Sequence, residues 1–409
     1  MMGRAFAAFM FCLFPCIVLA QTYGTDTAKA NGLKSDTVAQ KDLIDVARSL
    51  FNIKPRKISY TEKKKVYFSI LPISSSDGRS GGKALFTSTT AAFYLGDQET
   101  TNLSSFTFTP YFNLKGRYGL PIRSNIWLND NQWNIVGDTR LLVYPQYTWG
   151  LGGAQAEDDR FLVNYRYLRF YQTVLKKIKP YFYAGIGYNL DYYMDIEDDG
   201  PNNLRSFTNY NYGTATGQDV LASGATVNLL YDTRKNSINP LPGAYANVVY
   251  RVNTRVLGSH NNWQSLYIDV RKYVSLSNSG PKSVLAFWSY YWTSLTPGTP
   301  YLNLPSLGWE PYQRSGRGFV QNRYRGQRLA YFETEYRRDI TRNGLLGFVL
   351  FANVNSVTQA NSHNFVYWHP AGGSGLRFKF NKKSGTNISL DYGASKNYSA
   401  IYLNLGETF

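Results

Sequence analysis

The sequence predicts an all-β fold, a 16-stranded antiparallel transmembrane β-barrel preceded by a short linker with one helix. Three observations predict it. From Lys65 to the last residue, apolar and polar side chains alternate with period two, so that each segment has two distinct faces. The alternating segments run ten to sixteen residues, the length a tilted strand needs to cross a bilayer and longer than the strands of most soluble sheets. No segment after the N-terminus reaches the ~18 unbroken apolar residues that a membrane helix requires.

The N-terminal elements come first. Met1 to Arg4 is a short basic start, Ala5 to Ala20 an uncharged apolar run, and Val18-Leu19-Ala20 a small-residue cleavage site, so residues 1–20 read as an export signal peptide. Residues 21–64 are a polar, lysine-rich periplasmic linker. Within it Leu43, Val46, Ala47, Leu50 and Phe51 recur at helical spacing, with Ser35 or Asp36 as the cap and Pro55 as the stop. This helix either docks on the rest of the protein or plugs the barrel mouth or lies on the membrane surface.

The barrel occupies 65–409. Its strands fall near 65–72, 84–96, 101–115, 117–129, 136–149, 159–175, 178–194, 217–233, 243–257, 261–275, 280–295, 327–340, 344–355, 365–381, 384–397 and 398–409. In the seventh, Phe182, Ala184, Ile186, Tyr188 and Leu190 alternate with Tyr183, Gly185, Gly187, Asn189 and Asp191; in the last, Ile401, Leu403, Leu405 and Phe409 take the apolar face. Short links (115–117, 176–179, 341–343) alternate with long ones (195–216, 296–326), as in bacterial outer-membrane barrels.

In hydrocarbon each unpaired backbone group costs several kcal/mol, so a spanning sheet must close on itself. Closure joins the first strand to the last, with Ile70, Leu403 and Phe409 at the seam. The first strand is short and contains Pro72, which cannot donate a ladder hydrogen bond; the seam is therefore expected to be weakly paired. Phe409 ends the chain either as a signal for membrane insertion or as a lipid-facing girdle residue. The 34 Tyr, 24 Phe and 8 Trp suit interfacial belts, and the runs Tyr290-Tyr291-Trp292, Tyr165-Arg166-Tyr167 and Tyr192-Tyr193 are assigned to them.

Composition excludes much chemistry. Both cysteines, Cys12 and Cys16, lie in the signal, and only three histidines, His260, His363 and His369, are present. Disulfide frameworks, thiolate metal sites and charge-relay hydrolysis therefore have no material; no catalytic group, metal or cofactor is expected, and the protein is read as a non-enzyme. The net charge of +17 is scattered between aromatic runs, unlike the basic stripe of a nucleic-acid binder.

Three constellations go further. Asp232-Thr233-Arg234 is followed by Pro240-Leu241-Pro242-Gly243; Asp232 and Arg234 share inward parity, while Pro240 and Gly243 shape the turn. The 296–326 link carries Arg314, Arg317, Arg323 and Arg325 against the single acid Glu310, and contains Arg317-Gly318-Phe319. In the twelfth strand Glu333, Glu335 and Arg337 share the inward face. An arginine fork on a buried carboxylate is a strong anchor for a long loop, so the 296–326 loop is expected to fold into the lumen with Arg317 against Glu335 or Glu333. The competing reading is a solvated extracellular loop.

These motifs, in this order and with Leu346-Gly347-Phe348-Val349-Leu350-Phe351 on the next strand, resemble the barrel of the outer-membrane insertase superfamily (BamA, TamA, FhaC and the bacterial surface antigen proteins). The resemblance covers about 65–409. It implies sixteen strands, an inward loop between strands eleven and twelve, a weak seam, location in the bacterial outer membrane, and a role in inserting or translocating proteins. Two departures stand out. Residues 21–64 are too few for a folded POTRA domain, so the chain most resembles POTRA-less, Bacteroidetes-type barrels. The family's Phe-x-Asp reads Phe351-Ala352-Asn353, and a neutral Asn353 accepting from Arg317 loses the charge-assisted part of that bond. The expected partners are outer-membrane lipids, client outer-membrane proteins and an accessory periplasmic or lipoprotein subunit, with no nucleic acid. The alternative function is a passive pore or structural scaffold.

Overall fold

A computed structural model describes residues 39–52, 66–77, 82–113, 116–128, 130–198, 203–240, 242–277, 281–311, 314–360 and 362–409. The signal peptide, Ser35, Asp36, Pro55 and most of the linker lie outside them. The sheet is a nearly closed antiparallel barrel of sixteen strands. These are β1 Tyr67–Asp77, β2 Gly82–Phe93, β3 Ser104–Phe108 and Tyr111–Asn113, β4 Tyr118–Leu128, β5 Trp133–Val143 and Gln146–Thr148, β6 Phe161–Lys179, β7 Phe182–Asp198 and β8 Val220–Asp232. They continue as β9 Gly243–Asn253, β10 Trp263–Ser275, β11 Ser283–Ser294, β12 Arg328–Asp339, β13 Leu346–Val357, β14 His369–Asn381, β15 Thr386–Ser395 and β16 Ser399–Leu405. Two of them, β3 and β5, are each interrupted once, beside Pro110 and Pro145, whose missing N–H breaks the ladder. Both pieces of β3 pair with β2 and β4, and both pieces of β5 pair with β6.

Every strand pairs with its chain neighbour from β1 to β16. Where the chain ends meet, β1 and β16 lie side by side, and among the described residues no ladder register joins them. The first strand is longer than the expected 65–72, running through Pro72 opposite Thr87. A proline is tolerable there because β1 carries a ladder on one side only.

The outer face is apolar. Ile186 is 73% exposed, and Val227, Phe287, Leu350, Leu376 and Ile401 are exposed as well; such a band is what a barrel presents to hydrocarbon. Inward positions carry Asp191, Asn228, Glu335 and Asp391, all buried.

Several expectations change. The run 176–179 belongs to β6, and the turn falls at Pro180-Tyr181, with Tyr181 at φ 64°. The 115–117 link lies by strand parity at the long-loop end, not with 341–343. Of the residues assigned to belts, Tyr165, Tyr167, Tyr193 and Tyr290 are buried inside; Tyr167 stacks on Tyr193 with centroids 4.5 Å apart and Tyr290 on Tyr331 at 5.0 Å. Inward parity and a filled lumen place them, since rings pack there without meeting lipid.

The last strand stops at Leu405, short of 409. Gly406, at φ 90°, turns the tail inward, where Leu405 and Phe409 are buried instead of facing lipid. Phe409 is 3% exposed, its ring 5.2 Å from Trp288 and its main-chain oxygen accepting from Arg337 at 3.0 Å. The girdle reading of Phe409 is therefore replaced by a lumen anchor.

Helix α1, Leu43–Leu50, is capped by Asp42 in a reciprocal box with Asp45, in place of the expected Ser35 or Asp36. Its attachment is polar. Lys382 donates its main-chain N–H to Asp42 at 2.9 Å and its ammonium to Asp45 at 2.6 Å, and Lys41 N–H donates to the Asn343 carbonyl at 3.1 Å. Leu50 and Phe51 stay exposed.

Candidate functional site

The link 295–327, between β11 and β12, holds the site. From Tyr301 to Arg325 nearly every described residue is buried, so the segment lies within the barrel and not in outside solvent. One end rests on the β5–β7 wall. Tyr301 Oη and Thr148 Oγ1 lie 2.5 Å apart, Tyr193 Oη donates to the Leu302 carbonyl at 3.1 Å, and Asn322 Nδ2 donates to Gln146 at 3.0 Å. Arg140 donates to the Pro311 carbonyl.

The other end rests on β12–β16 through Arg317, which is 1% exposed. Its Nη2 reaches both Glu333 and Glu335, which sit two residues apart on the inward face of β12. Its Nη1 donates to Asp391 of β15 at 2.7 Å, and its guanidinium lies 3.6 Å from the centre of the Phe351 ring. A planar guanidinium spreads its donors over separate nitrogens in a fixed fork, here across three carboxylates, where an ammonium offers a single point of charge. Arg337 binds the far oxygen of Glu335 at 2.6 Å. Arg377 bridges Asp391 at 2.5 Å and Glu407 at 2.7 Å. Three guanidinium groups thus neutralise a row of acids that could not stand buried and unpaired.

Glycine is required beside the arginine. Gly318, at φ 95°, donates its N–H to Tyr402 of β16 at 2.9 Å, and a Cβ there would lie 2.8 Å from the Ala371 Cβ. Gly393 on β15 faces it; a Cβ at that position would meet Gly318 N at 2.9 Å. Phe319 packs edge-on against Tyr324 at 5.7 Å, and Tyr324 stacks on His369 at 3.9 Å. The role expected of Asn353 is reversed: its Nδ2 donates to the Arg317 carbonyl at 2.9 Å, because the guanidinium is already taken by carboxylates.

The turn motif lies elsewhere. Arg234 Nε and Nη2 bind the two Asp232 oxygens, each at 2.9 Å, and the guanidinium covers Tyr245 at 4.1 Å. The link after it, 233–242, contains the buried Pro240 and ends at Gly243, where a Cβ would approach Thr233 Oγ1 to 3.2 Å. It reaches the β14–β15 turn: Asn236 donates to the Ser384 carbonyl at 2.7 Å and Asn239 to that of Gly385 at 2.9 Å, while Glu407 N–H donates to the Ile238 carbonyl at 3.0 Å. At the seam, Ile70 is exposed, Leu403 half-buried and Phe409 buried. These three groups of residues are not one site, although Glu407 connects the tail to the Arg317 network.

Asp391, Arg377, Tyr402 and Glu407 were not singled out from sequence. One further signal was present: the acid-x-Arg spacing of Glu335-Tyr336-Arg337 and Asp232-Thr233-Arg234 recurs at Asp138-Thr139-Arg140 and Asp269-Val270-Arg271, each a bidentate in-strand pair.

A barrel of sixteen strands whose lumen is occupied by one arginine-clasped loop is the class that the fold and site define. Among solved structures the chain is similar to BamA from Haemophilus ducreyi lacking POTRA domains 1-3, with a TM-score of 0.50 and 13% identity over 84% of this chain and 69% of that one. It is also similar to CdiB from Acinetobacter baumannii, with a TM-score of 0.52 and 10% identity over 84% of this chain and 65% of that one. The corresponding values for CdiB from Escherichia coli are 0.53, 11%, 83% and 62%. The likeness is one of fold, and this chain spans about two thirds of the length of those chains. No protein-family model and no curated protein matches the sequence.

Proposed function

We propose that this chain is a bacterial outer-membrane barrel of the insertase superfamily that acts in insertion or translocation of proteins through the seam between β1 and β16. The observation that carries the reading is the tie between loop and seam: the Arg317 segment that is clasped to β12 and β15 also hydrogen-bonds Tyr402 of β16. A strand edge without a partner offers free N–H and C=O groups to an incoming strand. Templating of that strand, with no catalytic step, is the mechanism. The partners are outer-membrane lipids at the apolar band, client outer-membrane proteins at the edge, and an accessory periplasmic or lipoprotein subunit for client docking.

Depletion of the protein tests this. Reduced folded levels of other barrels, with the transcripts unchanged, are expected. An unaffected outer-membrane proteome, together with ion conductance through the reconstituted protein, would establish the pore reading instead.

A further inference from the structure

The outward face of β12 reads Arg328, Ala330, Phe332, Thr334, Tyr336 and Arg338. The two arginines are exposed, are the only charges on that face, and stand ten residues apart. At about 3.4 Å of rise per residue they are roughly 34 Å apart along the strand. A tilt of ~40° makes that about 26 Å along the membrane normal, against an apolar band about 25 Å tall. Arg338 therefore lies at headgroup depth, on the rim where the turns are short.

No acid neutralises it there. The guanidinium makes one hydrogen bond among the described residues, from Nη1 to Tyr336 Oη at 3.5 Å. Asp339 has the opposite parity and faces the mouth, among Lys282, Lys379 and Glu407. A second donor reaches the same phenol: Ser283 of β11, the register partner of Arg338 and 8% exposed, donates Oγ to Tyr336 Oη at 3.3 Å. The phenol oxygen thus accepts twice, and its own hydrogen is left to donate. An acceptor seated beside Arg338 and Tyr336 meets a guanidinium edge and a phenol O–H together. Phosphate oxygens suit that pair, because a guanidinium fork binds them two at a time. On β13 and β14 the same face continues through Phe348, Leu350 and Leu376, the last two exposed.

We propose that Arg338, Tyr336 and Ser283 form a site on the outer wall for the phosphate of an anionic phospholipid, whose acyl chain lies along Phe348, Leu350 and Leu376. The lipid is anionic and not zwitterionic because no carboxylate on the outward face of β10–β14 stands ready for an ammonium headgroup. The inference rests on the apolar band facing a bilayer and not on the seam mechanism.

The test reconstitutes the full chain in vesicles holding equal amounts of dioleoylphosphatidylglycerol and dioleoylphosphatidylcholine, extracts it in lauryldimethylamine oxide, and measures the retained lipid by native mass spectrometry. Phosphatidylglycerol should be retained over phosphatidylcholine by about tenfold. Arg338→Gln should cut the retained phosphatidylglycerol about tenfold and Tyr336→Phe about threefold, whereas Arg328→Gln, at the other end of the strand, should leave it unchanged. Inorganic phosphate should not displace the lipid, since it has no acyl chain to lay on the wall. If Arg338→Gln does not reach the folded gel mobility, Tyr336→Phe carries the comparison. Equal retention of the two lipids, or equal losses in Arg328→Gln and in the site variants, overturns the proposal as general attraction to the wall. Displacement by inorganic phosphate overturns the lipid and leaves a small-anion site. A chain that does not enter the vesicles overturns the membrane reading beneath the proposal, a failure distinct from the others.

Discussion

Removing the guanidinium of Arg317 is the sharpest perturbation of the clasp. In Arg317→Ala, Glu335 keeps Arg337 and Asp391 keeps Arg377, but Glu333 is left, among the described residues, with the Tyr331 hydroxyl. Breaking a buried ion pair on one side costs about 3–5 kcal/mol, because the surviving charge stays desolvated. With roughly 2–4 °C of Tm per kcal/mol for a large domain, the melting temperature should fall on the order of 10 °C. Heat-modifiable gel mobility of the detergent-solubilised barrel reads this directly. Limited trypsin digestion reads the loop, since Arg314, Arg323 and Arg325 should become cleavable once the segment leaves the wall. Adding Glu333→Gln should restore part of the loss, because the stranded charge is what costs most. Arg317→Lys should fall between wild type and alanine, as a single nitrogen replaces the two that divide Glu333, Glu335 and Asp391 between them. A melting temperature within about 2 °C of wild type, with an unchanged tryptic pattern, would refute the claim that the clasp holds the loop.

Other outcomes follow from the same geometry. Cysteines at Ile70 and Leu403, with Cys12 and Cys16 replaced, should crosslink across β1 and β16; crosslinking of Leu403 only to β15 would mean the ends do not meet. Gly318→Ala should displace the loop, since the new Cβ would lie 2.8 Å from Ala371 on a backbone at positive φ, and native-state proteolysis should detect it. Tyr402→Phe should cost about 1–3 kcal/mol by leaving the Gly318 N–H unpaired, measured as a lowered unfolding temperature. The Lys382 ammonium holds the Asp45 carboxyl below the usual carboxylate range. The contribution of that pair is therefore complete above the ordinary carboxylate pKa and lost as pH falls through the depressed one. Release of α1 at acid pH, followed by protease cleavage near Arg48, should be reproduced at neutral pH by Lys382→Ala.

The period of two was legible along nearly the whole barrel because each inward residue sits between two outward ones, and burial follows that parity on β12 and on β7 as far as Tyr193. The sixteen strands and the pairing of Arg317 with the acids of β12 could be read for the same reason. What could not be read depends on separation. Asp391 reaches Arg317 from a strand that neither its charge nor its spacing connects to the loop, and Tyr402 is one tyrosine among 34. The tail misled because Phe409 continues the alternation of Ile401, Leu403 and Leu405 after the strand has ended at Leu405. The inward tyrosines misled differently: their parity was visible, but composition weighed them towards the interface.

The loop's two attachments have a mechanical consequence. Held to Thr148 and Tyr193 on one side and to Asp391 and Tyr402 on the other, it is a strut across the diameter. The wall cannot gain circumference without letting go of one abutment, and the three-acid end is the harder to release. Expansion should therefore begin with the hydroxyl and carbonyl contacts of β5 and β7, far from where β1 and β16 meet.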